Sequence, residues 1–418
     1  MLIQFKFTNF KSFRDTAILD LSATKVTEYP HHVVEIGSEK ILRAAAIYGA
    51  NASGKTNICD AFNYMVLFVR DSFGFGGTNT APNTPAFLPP IPFVLDSTSS
   101  TQESSFEVYF TLDEDDRTYN YGFSVIRGKV TEEWLNSKSK TGRKYKQIYS
   151  REGGKPNMPG LPKKYQGNIQ ISLQDETLIL SLGAKLRLEK LEKIYNWFGK
   201  LMILNYGDPM ENMRLSRLMP AELARDPRLK KELIDYLSTF DGHITDLSII
   251  EKKEDPNLPG RFDIWAVHTK NDSNEHVSIP LMHEAAGTQK MFSLFDPLQH
   301  VLKSGGVLFI DELNDRLHPL LLRSIIQTFL DPERNPQNAQ LIFTTHDTWL
   351  LSASLLRRDE IWFTQKDTSQ VSHLYSLVDF KGENEAKVRK DADYEKNYLL
   401  GKYGGIPDLT KMIFHGEA

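Results

Sequence analysis

The chain has 418 residues, 40% hydrophobic and 25% charged, with 50 basic against 54 acidic side chains and a net charge of −4. That supplies a core for one large or two medium domains and excludes an overall basic field for gathering nucleic acid. A single cysteine, Cys59, excludes an internal disulfide, no apolar run reaches the ~18 residues of a membrane span, and the opening MLIQFKFTNFKSF lacks a signal-peptide core, so a cytoplasmic protein is expected.

Ile3, Phe5 and Phe7 alternate with Gln4, Lys6 and Thr8, and a second apolar stretch follows at 17–21, which predicts a β-hairpin with one buried face. Residues 44–48 (AAAIY) read as a short buried strand, and 56–70 as a helix with Ile58, Phe62, Met65 and Val69 on its apolar side. Between them GANASGKT, 49–56, satisfies G-x-x-x-x-G-K-[ST], the Walker A pattern. Its backbone amides cradle phosphate, while the lysine and hydroxyl serve the terminal phosphates and Mg²⁺. Gly49, Asn51, Ala52, Ser53, Gly54, Lys55, Thr56 and Asn57 are therefore the expected ATP-binding residues, with Thr56 also a metal ligand. Cys59, just inside the helix, reads as a small buried apolar residue.

Residues 71–92 turn to Gly, Pro, Thr, Ser and Asn and read as a mobile loop. Alternation returns at 106–112 and 119–126 around an acidic turn, and continues at 130–135 and 146–150, an antiparallel region. The basic run KSKTGRKYK, 138–146, reads as a solvated hairpin or loop. Helical spacing takes over at 177–197 and 228–240, predicting a helical lobe over 175–245, and short strands are expected at 245–251 and 262–268.

In HEAAGTQKMFSLF, 283–295, a small turn opens an amphipathic helix, so the amides of Ala286, Gly287 and Thr288 form a second anion-binding device. GVLFIDE, 306–312, has the form of a Walker B strand: Asp311 would hold Mg²⁺, and Glu312 would orient and deprotonate the attacking water. A helix is expected at 317–330, then another apolar strand in LIFTTHD, 341–347, ending at His346 as a γ-phosphate switch. All three motifs sit at carboxyl ends of strands, where parallel sheets collect ligands.

The ordered set NFKSF, Walker A, EAAGTQK, DEL, NDRLHP and THD resembles the ATP-binding-cassette type heads of the SMC, Rad50, RecF and OLD (overcoming lysogenization defect) group. It is most similar to OLD-like ATPases of bacterial phage defence, of the AbiLi, RloA and AriA kind, whose tail resembles DADYEKNYLLGKYGGIP, 391–407. The resemblance implies an α/β fold: one P-loop NTPase head over 1–418, with an N-terminal β-rich lobe (1–174), an inserted helical lobe (175–245), a parallel core carrying signature, Walker B and switch (246–380), and a tail (381–418).

It also implies a head-to-head homodimer or higher oligomer around ATP and Mg²⁺. Lys55 and Thr56 would hold nucleotide in cis, Ala286, Gly287 and Thr288 would cap it in trans, and Asp315 would lie near the dimer axis. Glu312 and His346 would be catalytic, and the expected role is an abortive-infection sensor or scaffold controlling a separately encoded effector, such as a TOPRIM, RloB-type or HNH nuclease.

The signature departs from LSGGQ, with Ala285 and Ala286 replacing the usual serine and small residue. No glutamine after the Walker A helix suits a Q-loop, and Gln102 is a poor candidate. Asp391 and Asp393 match the DxD of a TOPRIM nuclease, but the tail is too short for that fold and reads as a solvated helix. The alternatives are a RecF-like repair ATPase that binds DNA in an ATP-dependent way and, behind it, a stand-alone nuclease.

Overall fold

A computed structural model describes residues 1–74, 89–113, 115–215, 221–251, 262–381 and 388–407. Most of the stretch expected to be a mobile loop, 75–88, lies outside the described residues.

The centre is a six-stranded sheet in the order Leu201–Asn205, Val307–Asp311, Gln340–Thr344, Ala44–Gly49, Ile361–Lys366 and Ser372–Ser376. The first five are parallel and the last is an antiparallel edge. Every residue of the Ala44–Gly49, Val307–Asp311 and Gln340–Thr344 strands is buried, because both faces are covered. Alternate side chains enter two separate cores. Ala45, Ile47, Phe309 and Ile342 join the first, and Ala44, Ala46, Leu308, Ile310 and Phe343 join the second.

The first core is closed by the Walker A helix Lys55–Asp71 and a seven-stranded antiparallel sheet that starts with the expected hairpin, Leu2–Thr8 against Ala17–Asp20. The strands Ser104–Thr111, Arg117–Ile126, Lys129–Ser139 and Lys146–Glu152 complete the expected antiparallel region, with Lys155–Asn157 at its edge. Cys59 is buried in this core. Lys138 of the basic run pairs with Glu39 at 2.6 Å, and Lys140 donates to the Leu112 carbonyl at 3.0 Å, so part of its charge is used internally.

The second core is covered by the helices Pro227–Ser238, Ala286–Ser304 and Pro319–Leu330. The strands Ile244–Glu251 and Phe262–Thr269, both foreseen, pair with His276–Pro280 in a small antiparallel sheet. Among the described residues no helix is long and apolar enough to cross a membrane.

The stretch 175–245 corrects the expectation of one helical lobe. Residues 177–197 form two helices, Ile179–Lys185 and Glu189–Gly199, with Arg187 left-handed at φ +56° between them. The second doubles back so closely that a side chain at Gly183 would collide with Leu191. Both helices pack in the first core, where Trp197 stacks on Phe110 at 4.0 Å, whereas Leu233 and Leu237 belong to the second. Between these groups the chain gives the core sheet its edge strand Leu201–Asn205. The tail differs too: Asp393 caps the short helix Tyr394–Leu399 by accepting from the Lys396 amide, and Tyr394 and Tyr398 are buried rather than solvated.

Candidate functional site

The Walker A strand runs between the switch strand and Ile361–Lys366, with Ile47 in register with Thr344 and Gly49 with Thr364. The turn that follows needs its glycine. Gly54 caps the helix at φ +119°, and a Cβ there would stand 2.7 Å from Ser372 Oγ and 3.0 Å from the Phe13 ring. Ala52 is left-handed at φ +62°, and Asn51 and Ala52 are exposed at the turn tip. The Ser53 hydroxyl lies 2.5 Å from that of Thr364. Asn57 donates to Ser12 Oγ at 2.7 Å, and Lys11 pairs with Asp60 at 2.5 Å, so NFKSF braces the base of the helix.

Lys55 is buried and donates to the carbonyls of Gly49 and Ala50 at 2.9 and 3.2 Å. Burial lowers its pKa, opposed by the carboxylates of Glu312 and Asp311. The helix amino end has no side-chain cap, leaving its amides free to bind an anion.

Asp311 ends the Walker B strand fully buried. One carboxylate oxygen accepts from Thr56 Oγ1 at 2.8 Å and the other from Thr344 Oγ1 at 2.7 Å. Burial raises its pKa, the two hydroxyls pull it back, and neighbouring Glu312 adds to the rise. Glu312 is left-handed at φ +54°, and its amide donates to Thr344 Oγ1 at 2.9 Å. The turn aims its carboxylate at His346, whose Nε2 stands 2.9 Å from Oε1. Burial pushes the Glu312 pKa up, but the hydrogen bond and field of His346, joined by the charges of Lys55 and Lys290, leave the carboxyl below its usual range. His346 is exposed, with its backbone amide on Asn314 Oδ1 at 3.3 Å. The structure thus brings Lys55, Thr56, Asp311, Glu312 and His346 to one end of the sheet.

Of the signature, Ala286, Gly287 and Thr288 take no part in that cluster's hydrogen bonds, whereas Lys290 reaches the Walker B turn. Ala286–Ser304 starts without a side-chain cap, and Ala285 and Ala286 are exposed. Gly287 faces the Arg316 carbonyl, which a Cβ would meet at 3.1 Å. Thr288 is buried and its hydroxyl donates to Asp241 Oδ2 at 3.0 Å, so that hydroxyl is committed within the chain. Asp315 accepts from Asn212 Nδ2 at 3.2 Å and pairs with Arg316 at 3.3 Å.

Three site features were not foreseen. Lys290, buried in the signature helix, donates to the carbonyls of Glu312 and Leu313 at 2.9 and 3.0 Å and lies over the Tyr206 ring at 4.2 Å. Burial lowers its pKa to about 7, with Asp315 and Glu312 working against the fall. Asn205 sits in register with Asp311, and a side chain at Gly207 would come within 2.9 Å of Asp311 Oδ2 and 3.3 Å of the Glu312 side chain. The segment after Leu201–Asn205, rather than any residue after the Walker A helix, therefore closes this side of the site; Gln102 is exposed, with its carbonyl accepting from Asn9. The amphipathic signature pattern around Lys290 was legible, but its reach to the Walker B turn was not. Asp391 pairs with Arg389 at 2.7 Å and Asp393 is the helix cap, so each carboxylate of the DxD pattern has a local role.

The donor set fits ATP and Mg²⁺. The buried ammonium and uncapped helix amides suit phosphate oxygens, and Thr56 and Asp311 already share a hydrogen bond that a hard divalent cation would replace. Mg²⁺-ATP held there would supply the phosphoanhydride bond. The Glu312 carboxylate, held below its usual range, would take a proton from water, with its Oε1 fixed by His346 and the turn that carries it fixed by Lys290.

The family model described as "AAA domain, putative AbiEii toxin, Type IV TA system" matches residues 44–352. No curated protein matches. Among solved structures, an SMC head bound to the C-winged helix domain of ScpA is 13% identical with a TM-score of 0.41, covering 90% of this chain and 97% of that one. The ATP complex of the recombination mediator protein RecF is 14% identical with a TM-score of 0.31, covering 90% and 97%. With the segment from the Walker A strand through the switch inside the match, the chain belongs to this AAA-domain family and is a P-loop ATPase.

Proposed function

We propose that this ATPase is a nucleotide-driven switch that dimerises around two Mg²⁺-ATP and controls a separately encoded effector in an anti-phage, abortive-infection system. The observation that carries the dimer is the exposed, uncapped amino end of the signature helix, an anion-binding group presented outward while Walker A, Walker B and the switch form one contiguous cluster. Two copies facing each other would give each nucleotide both halves. The family's toxin and toxin–antitoxin description supports a defence setting.

ATP binding would favour the closed pair, and hydrolysis by Glu312 would release it, so that the effector is held in one state and freed in the other. The test is co-purification of the chain with the product of the neighbouring gene, with and without ATP, in the wild type and in Glu312→Gln. The reading expects a nucleotide-dependent complex. Steeply salt-dependent DNA binding with no protein partner would overturn the effector role in favour of a repair ATPase.

A further inference from the structure

The tail motif YLLGKYGGIP folds against the nucleotide loop. Gly405, left-handed at φ +66°, lies so close to Walker A that an added Cβ would be 3.7 Å from the Gly49 Cα and 3.2 Å from the Thr364 carbonyl oxygen. Gly404, at φ +72°, has no room for a side chain between Gln365 and the Tyr375 hydroxyl. Hydrogen bonds across the turn hold it in place. Tyr398 donates to the Gly405 carbonyl at 2.9 Å, the Gly405 amide to Gln365 Oε1 at 3.3 Å, Tyr375 to the Tyr403 carbonyl at 2.7 Å, and Asn397 to the Tyr403 hydroxyl at 3.2 Å.

The same segment reaches the switch. Thr348, two residues after His346, donates to Glu395 Oε1 at 2.9 Å. The Tyr398 ring stacks on Phe363 at 5.4 Å and meets Tyr48 edge-on at 6.3 Å, the residues immediately before Thr364 and Gly49. Thr364 passes the contact on through its hydroxyl, 2.5 Å from Ser53 Oγ within the phosphate loop.

We propose that residues 393–407 form a strap that positions the Walker A loop and the switch, with Tyr398 and Gly405 as positioning residues for ATP, so that nucleotide binding and seating of the strap reinforce each other. The proposal rests on the nucleotide site alone and not on the dimer or the effector. Reciprocity follows from linkage: whatever the seated strap adds to nucleotide affinity, nucleotide returns to strap seating.

The experiment uses the full chain. In Tyr398→Phe, which keeps the ring stack and removes one hydrogen bond, and in Gly405→Ala, whose Cβ crowds the Thr364 carbonyl from a left-handed backbone, the KM for ATP should rise about three- to tenfold with kcat at saturating ATP nearly unchanged. A purely architectural strap would lower the melting temperature and leave KM where it was. Amide exchange in 394–407 of the wild type should also slow on adding ADP or a non-hydrolysable ATP analogue, and fail to slow in Lys55→Ala. This readout stands even where a variant folds poorly. Unchanged KM in well-folded variants, or exchange indifferent to nucleotide in the wild type, overturns the proposal.

Discussion

Glu133 in the antiparallel sheet and Asp311 in the parallel one are both buried carboxylates, yet they are held in different ways. Glu133 accepts from the amides of Ile179 and Leu180 at 2.7 and 3.1 Å and from the hydroxyls of Tyr149 and Tyr121 at 2.8 and 3.2 Å, closing a helix start onto the sheet. Asp311 has two threonine hydroxyls, one of them from the exposed Thr56, and borders the Glu312–His346 pair at the carboxyl end of the parallel strands. Four internal donors, two of them fixed backbone amides, make a joint; two hydroxyls, one at the surface, make a site. Burial raises both acids, so the pKa direction alone does not separate them, and the partners do.

The contrast is sharpened most by Glu312→Gln. Turnover should fall by about 10²- to 10⁴-fold, the usual contribution of a general base, with ATP binding and melting temperature retained. Glu133→Leu should do the reverse. Leaving two amides and two hydroxyls unpaired should cost about 3–5 kcal/mol of stability, read by denaturant unfolding, while the nucleotide affinity of the folded fraction is unchanged. If Glu133→Leu abolished ATP binding in a folded protein, the division between joint and site would fail.

Smaller effects are expected around the Walker B turn. His346→Ala removes the partner that holds the Glu312 carboxyl low, so the acidic limb of the turnover profile should move to higher pH, with roughly a tenfold loss at neutral pH. Lys290 gives the opposite limb. Its ammonium holds the Glu312 and Leu313 carbonyls, and with a folded pKa of about 7 that hold weakens as pH rises through neutrality, so turnover should decline on the alkaline side. Stability runs the other way. The folded pKa lies below the ordinary 10.5, so the unfolded chain binds more protons between the two values, and Lys290's contribution to folding rises with pH from about 7 to 10.5. Lys290→Met should flatten both dependences, measured as ATPase rate and melting temperature against pH.

The sequence carries the site where contiguous residues hold the chemistry. AAAIYGANASGKT, VLFIDE and LIFTTHD each combine a buried strand with the reactive group beyond its end, so burial pattern and residue type coincide, and the parallel order places them together. What it hides depends on folding across distance. LMILN is short, with a mixed burial pattern, and becomes a core strand only because Asp311's strand lies beside it. Lys290 ends the signature motif with no role legible from its position, until the helix turns it under the Walker B carbonyls. The break near Arg187 is masked by unbroken apolar spacing, because both short helices present leucines to the same core. The strap is in the same class: its glycines were visible, but their fit against Gly49 was not.

In the proposed dimer, nucleotide joins two copies of this site. Light scattering on Glu312→Gln, which should bind ATP without consuming it, tests that directly. The molar mass should at least double on adding Mg²⁺-ATP and stay at the nucleotide-free value in the Glu312→Gln, Lys55→Ala double variant. A mass unchanged by ATP, with the nucleotide shown to be bound, would contradict it.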